Sequence, residues 1–324
     1  MAPAANPAVA VLCADHRPPG MATVEEQAEV RYTNADDLAD AIDGADALFV
    51  WDFFSTAVAD AWTASGAISW IHVASAGVDR LLFPALVDSD VVVTNSRGVF
   101  ERPIAEYVLG LLLAFAKDLP GTLRAQEAGR WVHRETQGLG GRRALVVGSG
   151  PIGREIGRLL AAVGVEVSLV GRARRDSDSD FGVVHASTDL LSLLPDADYV
   201  VAAAPLTDAT RGMFGAEAFA AMRPGARFVN IGRGQLVDEA ALVDALRSGR
   251  IAGAALDVFA QEPLPAGHPL WTLDGVLVSP HMAGDVVGWH DDLARLFVAN
   301  FGRWRSGAPL HNIVDKRLGY VPGS

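Results

Sequence analysis

The chain has 324 residues, half of them hydrophobic, and its formal net charge at pH 7 is −12. This length suffices for about two domains, and the hydrophobic content suffices for a sizeable core. The acidic balance argues against a nucleic-acid partner, since phosphate binding needs a basic face.

Short apolar runs alternate with helix-like segments in the N-terminal part of the chain. Buried strands are predicted at residues 9–13, 47–50, 70–73 and 91–94, and helices between them at residues 35–42 and 56–64. Strands that alternate with helices are typical of a parallel α/β sheet.

A long, mostly apolar helix is predicted at residues 103–117, with Pro103 in its first turn. A helix this apolar must be buried, either between domains or in a subunit interface. We favour the interface and therefore expect a homodimer. Trp131 could reach the active site of a partner subunit or merely pack at that interface, and the sequence leaves both interpretations open.

A second α/β series begins at Arg143. Its strands are predicted at residues 144–147, 166–170, 199–202, 227–230, 254–257 and 276–279, and its helices at residues 154–162, 189–194, 216–221 and 239–248. About six strands make a complete doubly wound dinucleotide-binding fold. Residues 172–180 are interpreted as a charged loop, and the helical tail at residues 291–301 is expected to return to the first domain.

These patterns predict an α/β protein with two Rossmann-like, doubly wound parallel-sheet domains. A dinucleotide-binding domain at residues 102–287 would be inserted into a split substrate domain formed by residues 1–101 and 288–324. Ligands in such open sheets bind beyond the carboxyl ends of the strands, so polar residues at those ends are candidates for the functional site.

The stretch Gly148-Ser149-Gly150-Pro151-Ile152-Gly153 lies between an apolar strand and a helix. A glycine-rich turn in this position lets backbone N–H groups approach a pyrophosphate at the N-terminus of the helix. Gly148 permits the tight turn, Gly150 leaves room for the phosphates, and Gly153 allows close packing of helix on strand. The context therefore predicts a dinucleotide site.

Three polar residues follow consecutive predicted strands of the second series. Arg233 comes after the strand at residues 227–230, Glu262 after the next strand and His281 after the last one. Arg233 can bind a carboxylate bidentately. His281 can exchange a proton with a carbonyl oxygen, and Glu262 can orient the imidazole and favour its protonated form. Each residue alone is more often structural, but together they suit the reduction of a 2-keto acid.

Several stretches that cover nearly the whole chain carry a resemblance to a known family. In chain order they are Ala74-Ser75-Ala76-Gly77-Val78-Asp79, Val93-Thr94-Asn95, Ala105-Glu106-Tyr107-Val108, Gly148 to Gly153, Ala204-Pro205-Leu206-Thr207, Asn230 to Leu242, Asp257 to Pro265 and Pro280-His281. With them the chain resembles the D-isomer-specific 2-hydroxyacid dehydrogenases. The resemblance implies an NAD(P)-dependent enzyme in which Arg233, Glu262 and His281 form the catalytic set.

The resemblance also implies roles for residues outside that set. The loop formed by Ser75, Ala76 and Gly77 would offer backbone N–H groups to the substrate carboxylate, which Arg233 and His281 also bind; the alternative is a simple turn. Further cofactor contacts are implied for three residues: Asp257 at the nicotinamide carboxamide, Pro205 on the adenosine side, and Ile231.

The end of the second predicted strand of this domain bears on the choice of cofactor. NAD-dependent enzymes place an acidic residue there for the ribose 2′-hydroxyl, but Glu166 lies at the opposite end of the strand. The correct end carries three arginines that suit a 2′-phosphate, Arg172, Arg174 and Arg175. We therefore predict NADP(H) as the preferred cofactor and NAD(H) as the alternative. The arginines could instead form a solvated loop balanced by Asp176, Asp178 and Asp180.

Two features resemble the glyoxylate/hydroxypyruvate reductase branch of the family, namely the segment Trp70-Ile71-His72 and the arginine-rich loop. We therefore expect reduction of a small 2-keto acid to the D-2-hydroxy acid. A bulkier keto acid or an inorganic oxyanion are the alternative substrates. A cofactor-sensing corepressor of the same fold is the alternative from another class of protein, because the fold and the catalytic set do not exclude it.

Cysteine content and hydropathy limit the remaining possibilities. Cys13 is the only cysteine, so neither an internal disulfide nor a cysteine-based metal site can form, and we predict no metal centre. The longest apolar stretch, residues 107–116, is too short to span a bilayer. No basic segment followed by an apolar one is visible at the N-terminus, so we expect a cytoplasmic protein without a membrane partner.

Overall fold

The computed structural model describes residues 6–62 and 66–322, and the chain divides into two compact units. Unit 1 comprises Met1–Phe100 and Val286–Ser324, and unit 2 comprises Glu101–Asp285. The chain therefore leaves unit 1 once, forms all of unit 2 and returns. The sequence prediction placed these crossings near residues 101 and 287.

The described residues form thirteen strands, most of them parallel to their neighbours, and eleven α-helices. The strands are β1 (Ala8–Leu12), β2 (Glu29–Thr33), β3 (Ala47–Val50), β4 (Trp70–Val73), β5 (Val92–Thr94), β6 (Arg143–Val147), β7 (Glu166–Gly171), β8 (Arg175–Asp178), β9 (Gly182–Ala186), β10 (Tyr199–Ala202), β11 (Arg227–Asn230), β12 (Gly253–Leu256) and β13 (Val276–Val278). The α-helices are α1 (Ala22–Glu25), α2 (Leu38–Ile42), α3 (Ala57–Ala61), α4 (Pro84–Val87), α5 (Glu101–Ala116), α6 (Leu119–Glu127), α7 (Pro151–Ala162), α8 (Leu190–Leu193), α9 (Ala216–Ala221), α10 (Glu239–Arg247) and α11 (Trp289–Arg305).

Unit 1 is a five-stranded parallel sheet in the order β2-β1-β3-β4-β5. This is a doubly wound order, in which helices cover both faces and the central strands are buried on both sides. All residues of β3 and β4 are buried accordingly. The helix predicted at residues 56–64 is observed over Ala57–Ala61, and residues 63 and 64 lie outside the described residues.

The two faces of β4 pack differently. Ile71 and Val73 join an aliphatic cluster on one face. On the other face Trp70 lies against α11, where the ring of Phe297 stacks at 5.4 Å from Trp70 and at 3.9 Å from Phe49. The C-terminal helix thus completes the core of the unit that the N-terminal residues begin, as expected for the tail.

His72 is fully buried in this second face, within a directional chain of hydrogen bonds. Trp70 Nε1 donates to Thr94 Oγ1 at 2.8 Å, and the Thr94 hydroxyl donates to His72 Nδ1 at 2.8 Å, because the other nitrogen of the neutral ring is the donor. His72 Nε2 then donates to Ser96 Oγ at 3.3 Å, and that hydroxyl donates to the Val73 carbonyl at 3.0 Å. Burial lowers the pKa of His72 to about 3, so this imidazole is neutral and structural.

Unit 2 is an eight-stranded sheet in the order β13-β12-β11-β10-β6-β7-β9-β8. The order β9-β7-β6-β10-β11-β12 within it is that of a complete dinucleotide-binding fold. The predicted fold class, with two doubly wound parallel-sheet domains, is confirmed. The six predicted strands are present, but two more, β8 and β9, were missed.

The interpretation of residues 172–180 as a loop is wrong for residues 175–178, which form β8 and pair antiparallel with β9. The sequence of β8, Arg175-Asp176-Ser177-Asp178, contains no apolar residue. A strand at the edge of a sheet, with no apolar face, lacks the alternation from which strands are predicted.

Helix α5 shows a buried stripe at helical spacing that includes Ile104, Val108, Leu112 and Phe115. This helix packs against α7 of the same unit. The sequence prediction considered only a domain or subunit interface for it; packing inside unit 2 accounts for the stripe. Within the described parts of the chain, no helix combines the length and apolarity needed to cross a lipid bilayer.

Candidate active site

The glycine-rich turn joins β6 to α7 at the centre of the unit 2 sheet. Gly148 has a φ of +129°, and a Cβ atom there would overlap the Ala203 carbonyl. A Cβ atom at Gly153 would overlap the Gly148 carbonyl, so α7 can approach the turn closely only with glycine there. Nothing lies within 4 Å of the Cβ position of Gly150. The turn is thus a backbone cradle with open space at the N-terminus of a twelve-residue helix, which fits a pyrophosphate.

The predicted arginines lie around the end of β7, beside this cradle. Gly171 ends β7. A Cβ atom at this position would lie only 2.5 Å from Ser149 Oγ. Arg175 Nη2 donates to the same Ser149 Oγ at 3.1 Å. Arg174 Nε pairs with Asp176 at 2.7 Å, and Arg172 is exposed.

The acidic residues of this region do not simply balance the arginine loop. Asp178 accepts from both terminal nitrogens of Arg154 on α7, at 2.7 and 2.9 Å. Arg158, also on α7, donates to Asp180 at 2.7 Å. Bonding to Arg154 holds the pKa of Asp178 well below its usual range. Arg175 lies 3.8 Å from Asp178, so the main partners of these two carboxylates come from the helix.

Pro205 and Ile231 follow the neighbouring strands β10 and β11. Pro205 is exposed, and its carbonyl accepts the Thr210 hydroxyl at 2.7 Å. Ile231 is buried, and its N–H donates to the Ala202 carbonyl at 3.1 Å. Both therefore lie at the carboxyl edge of the sheet, on the same side as the glycine cradle.

Arg233 lies in the turn after β11, which Asn230 braces. Asn230 Oδ1 accepts the Gly232 N–H at 3.1 Å, and Asn230 Nδ2 donates to the Arg233 carbonyl at 3.0 Å. The Arg233 side chain donates from Nη1 to the Gly232 carbonyl at 2.9 Å. A Cβ atom at Gly234 would overlap the backbone of Phe259, so a glycine here brings the turn after β11 against the segment after β12.

Glu262 and His281 form a hydrogen-bonded pair. His281 Nδ1 lies 2.9 Å from Glu262 Oε2. The other carboxylate oxygen, Oε1, accepts the Phe259 N–H at 3.0 Å, which fixes the plane of the carboxylate. An ionised carboxylate can only accept, so Nδ1 carries the hydrogen and donates this hydrogen bond to Glu262.

Asp257 holds the segment that carries His281. His281 has a φ of +54°, an uncommon conformation for a residue with a side chain, and its N–H donates to the Asp257 carbonyl at 2.8 Å. The buried Asp257 carboxylate accepts the Ser279 hydroxyl at 2.7 Å and the N–H groups of Met282 and Ala283 at 3.0 and 2.9 Å. Sequence reasoning missed this scaffold role, because the donors follow Asp257 by more than twenty residues.

The loop of Ser75, Ala76 and Gly77 follows β4 in unit 1. All three of its carbonyls accept hydrogen bonds within that unit: from the Ser96 N–H at 2.9 Å, from Asn95 Nδ2 at 2.6 Å and from the Ser75 hydroxyl at 2.6 Å, respectively. The sequence prediction assigned no role to Asn95 or Ser96. Their position directly after β5, the neighbour of β4, was the available signal.

The structure thus brings the predicted residues of unit 2 to one edge of its sheet. The cradle, the arginines, Pro205, Ile231 and Arg233 follow β6, β7, β10 and β11, while Asp257 and Glu262 follow β12 and His281 follows β13. The predicted substrate loop, Ser75–Gly77, belongs to unit 1.

The complete doubly wound sheet of unit 2, with a glycine cradle at its central strand, is the fold of a dinucleotide-binding oxidoreductase domain. Residues 109–283 match the family described as "D-isomer specific 2-hydroxyacid dehydrogenase, NAD binding domain". The chain belongs to the D-isomer specific 2-hydroxyacid dehydrogenase family and is an NAD(P)-dependent oxidoreductase.

Relatives and solved structures agree with this assignment. Glyoxylate/hydroxypyruvate reductase B from Pectobacterium carotovorum is 33% identical over 259 residues, covering 75% of this chain and 78% of its own. A D-isomer specific 2-hydroxyacid dehydrogenase from Xanthobacter autotrophicus Py2, solved with NADPH and MES, is 34% identical, with a TM-score of 0.83 over 98% of this chain and 100% of that one.

The NADPH-dependent glyoxylate/hydroxypyruvate reductase from Sinorhizobium meliloti, solved with NADP and sulfate, is 26% identical. Its TM-score is 0.82, over 97% of this chain and 100% of that one. The expected resemblance to the glyoxylate/hydroxypyruvate reductase branch is thereby confirmed.

Proposed function

We propose that the protein reduces a small 2-keto acid, such as glyoxylate or hydroxypyruvate, to the D-2-hydroxy acid, with NADPH preferred over NADH. The hydrogen bond of 2.9 Å between His281 Nδ1 and Glu262 Oε2, at the carboxyl edge of a dinucleotide-binding sheet, is the observation that carries this proposal. An oriented imidazole there is what proton transfer to a keto oxygen requires.

His281 is the proposed acid in keto-acid reduction and the base in the reverse direction. Because Nδ1 donates to Glu262, Nε2 is the ring nitrogen that exchanges a proton with the substrate oxygen. The Glu262 carboxylate stabilises the imidazolium and fixes the ring orientation. The cofactor, when bound, supplies the hydride that reduces the keto carbon.

Arg233 is the proposed partner of the substrate carboxylate. Its guanidinium can bind both carboxylate oxygens and withdraw charge from the adjacent keto group. The Ser75–Gly77 loop is the proposed second partner. Its three carbonyls accept hydrogen bonds inside unit 1, which hold the loop in one conformation and so support a preformed site for the substrate anion.

The preference for NADPH is inferred from the charges at the end of β7. Ser149, Gly171 and Arg175 converge there, and no acidic side chain occupies positions 171–175. Guanidinium groups favour a 2′-phosphate over a 2′-hydroxyl. Two structural neighbours were solved with NADPH or NADP, which supports the same preference.

A homodimer formed through unit 2 is part of the proposal. Leu119, Leu123 and Trp131, which follow α5 in the chain, are exposed, Trp131 almost completely. Exposed apolar side chains clustered along one segment favour a protein interface. Size-exclusion chromatography with light scattering measures the molecular mass of the protein in solution. The mass of a monomer would contradict the proposed homodimer.

The test of the function is a matrix of initial rates. The purified protein is assayed with NADPH and NADH against glyoxylate, hydroxypyruvate, pyruvate and phenylpyruvate, and the chirality of each product is determined. Fast NADPH oxidation with the small acids and a D product supports the proposal. Turnover with phenylpyruvate alone would agree with the proposed mechanism but contradict the proposed small substrate. Absence of turnover with every combination of cofactor and keto acid would contradict the proposed function and favour a cofactor-sensing role.

A further inference from the structure

Strand β8 contains no apolar side chain. It is an edge strand, paired with β9 alone, and its four residues are Arg175, Asp176, Ser177 and Asp178. Hydrophobic burial therefore cannot fix its position. Asp178 is the one residue of the four that is not exposed, and its side chain is only 7% accessible.

The partner that accounts for the burial of Asp178 is Arg154, whose side chain is 12% accessible. Two parallel hydrogen bonds of 2.7 and 2.9 Å join the guanidinium to the carboxylate. Such a bidentate pair fixes orientation as well as distance. Asp178 Oδ1 also accepts the N–H groups of Asp180 and Phe181, at 3.1 and 3.3 Å, and so shapes the turn into β9.

Two further contacts join this turn to α7. Asp180 accepts from Arg158 at 2.7 Å and from Arg154 at 3.1 Å. The Phe181 ring packs on Gly157, where a Cβ atom would lie 2.8 Å from it, and the Arg154 guanidinium lies 5.5 Å from the centre of the same ring. The β8–β9 hairpin is therefore attached to α7 by side chains of its turn.

Helix α7 begins at the glycine cradle, so one helix positions both the proposed phosphate site and the hairpin that carries Arg175. Arg175 in turn donates to Ser149 inside the cradle. A shift of β8 would move this arginine relative to the cradle while leaving the cradle intact, because Gly148 and Gly153 are held by β6, β10 and α7.

We propose that Asp178 is a positioning residue for cofactor selectivity: its ion pair with Arg154 holds β8 so that the arginines after β7 meet the 2′-phosphate of NADP(H). This inference rests on the proposed preference for NADPH. Asp178 is proposed to act through other residues and not to contact the cofactor, since Arg154 and the turn occupy its carboxylate and Arg175 lies 3.8 Å from it.

The experiment measures binding of two nucleotides that differ only in the 2′-phosphate, adenosine 2′,5′-bisphosphate and adenosine 5′-monophosphate, by titration calorimetry. Asp178→Asn keeps the size of the side chain and an acceptor for the turn but loses the charge. We expect this variant to bind the bisphosphate about tenfold more weakly than the wild type and the monophosphate less than about twofold more weakly. Arg154→Lys keeps the charge but not the bidentate geometry. It should also weaken binding of the bisphosphate more than binding of the monophosphate.

The matched control is Asp196→Asn, which removes an exposed carboxylate that pairs with Arg143 at the start of β6 and makes no ion pair with the hairpin. The ratio of its affinities for the bisphosphate and the monophosphate should equal that of the wild type. In the kinetic assay, Asp178→Asn should raise the KM for NADPH and leave kcat and the KM for NADH unchanged.

Equal weakening of both nucleotides by Asp178→Asn, or no weakening of either, would overturn the inference, since the residue would then act on general stability or not at all. A wild-type protein that binds the two nucleotides equally would instead remove the proposed NADPH preference, and this inference with it.

Discussion

The main chain of His281 is tied to Asp257, because its N–H donates to the Asp257 carbonyl at 2.8 Å. The Asp257 carboxylate takes the next two N–H groups, those of Met282 and Ala283. One residue at the end of β12 therefore sets the backbone of the segment after β13, including the left-handed conformation of His281.

Asp257→Asn should disturb this segment, although the two side chains have the same size. The asparagine presents an NH₂ group where the carboxylate accepts an N–H or O–H donor, so at least one buried donor loses its partner. The expected loss is about 1–3 kcal/mol of unfolding free energy, together with a lower kcat. Denaturant unfolding and initial rates measure both, with Asp274→Asn at an exposed position as control. Unchanged stability would contradict the scaffold role.

His281→Gln should lower kcat by about 10²–10⁴-fold and leave the affinity for NADPH unchanged, because the side chain is proposed to transfer a proton and not to bind the cofactor. Glu262→Gln should lower kcat less, since it removes the charge that stabilises the imidazolium but keeps a hydrogen-bond acceptor. His268→Gln serves as the control: His268 lies 3.7 Å from Glu239 in the same unit, outside the proposed site. Full turnover by His281→Gln would remove the acid–base assignment.

Asn95→Ala should raise the KM for the keto acid about tenfold, because the Ala76 carbonyl loses the hydrogen bond that helps to fix the substrate loop. The KM for NADPH should stay the same, since the cofactor cradle lies in unit 2. Steady-state kinetics with each substrate varied in turn separate the two. Asn34→Ala, which removes side-chain hydrogen bonds from an exposed turn of unit 1, should change neither constant.

Arg172→Ala should reduce kcat/KM for NADPH at least about tenfold and change kcat/KM for NADH little, because a guanidinium interacts more strongly with a 2′-phosphate than with a hydroxyl. Arg247→Ala, at an exposed position near the end of α10, provides the matched loss of charge. Equal effects on the two cofactors would place Arg172 outside the 2′-phosphate site.

Buried His72 should make the stability of the protein depend on pH below neutrality. Its pKa is about 3 in the folded protein against 6.5 for the free side chain. Between these values the unfolded chain binds a proton that the folded chain does not, so stability falls as the pH falls. At pH 5 the loss is about 2 kcal/mol relative to neutral pH. Denaturant unfolding of His72→Gln should lack this contribution, while His133→Gln, at an exposed position, should follow the wild type.

The sequence by itself predicted the central strands of both units and the residues that follow them. Short apolar runs such as residues 144–147, bounded by turn residues, indicate buried parallel strands, and the carboxyl ends of parallel strands share one edge. The positions of Arg233, Glu262 and His281 at one edge followed from that rule alone.

Tertiary structure decided the relationships that depend on residues far apart in the chain. Arg154 and Asp178 form hydrogen bonds although they are 24 positions apart, and Asn95 and Ala76 do so at a separation of 19 positions. No local sequence pattern predicts either pair. Strand β8 has no apolar residue, and its least exposed side chain, Asp178, pairs with Arg154 of α7. Local periodicity encodes burial, whereas side-chain pairing requires the register and packing that only the folded chain supplies.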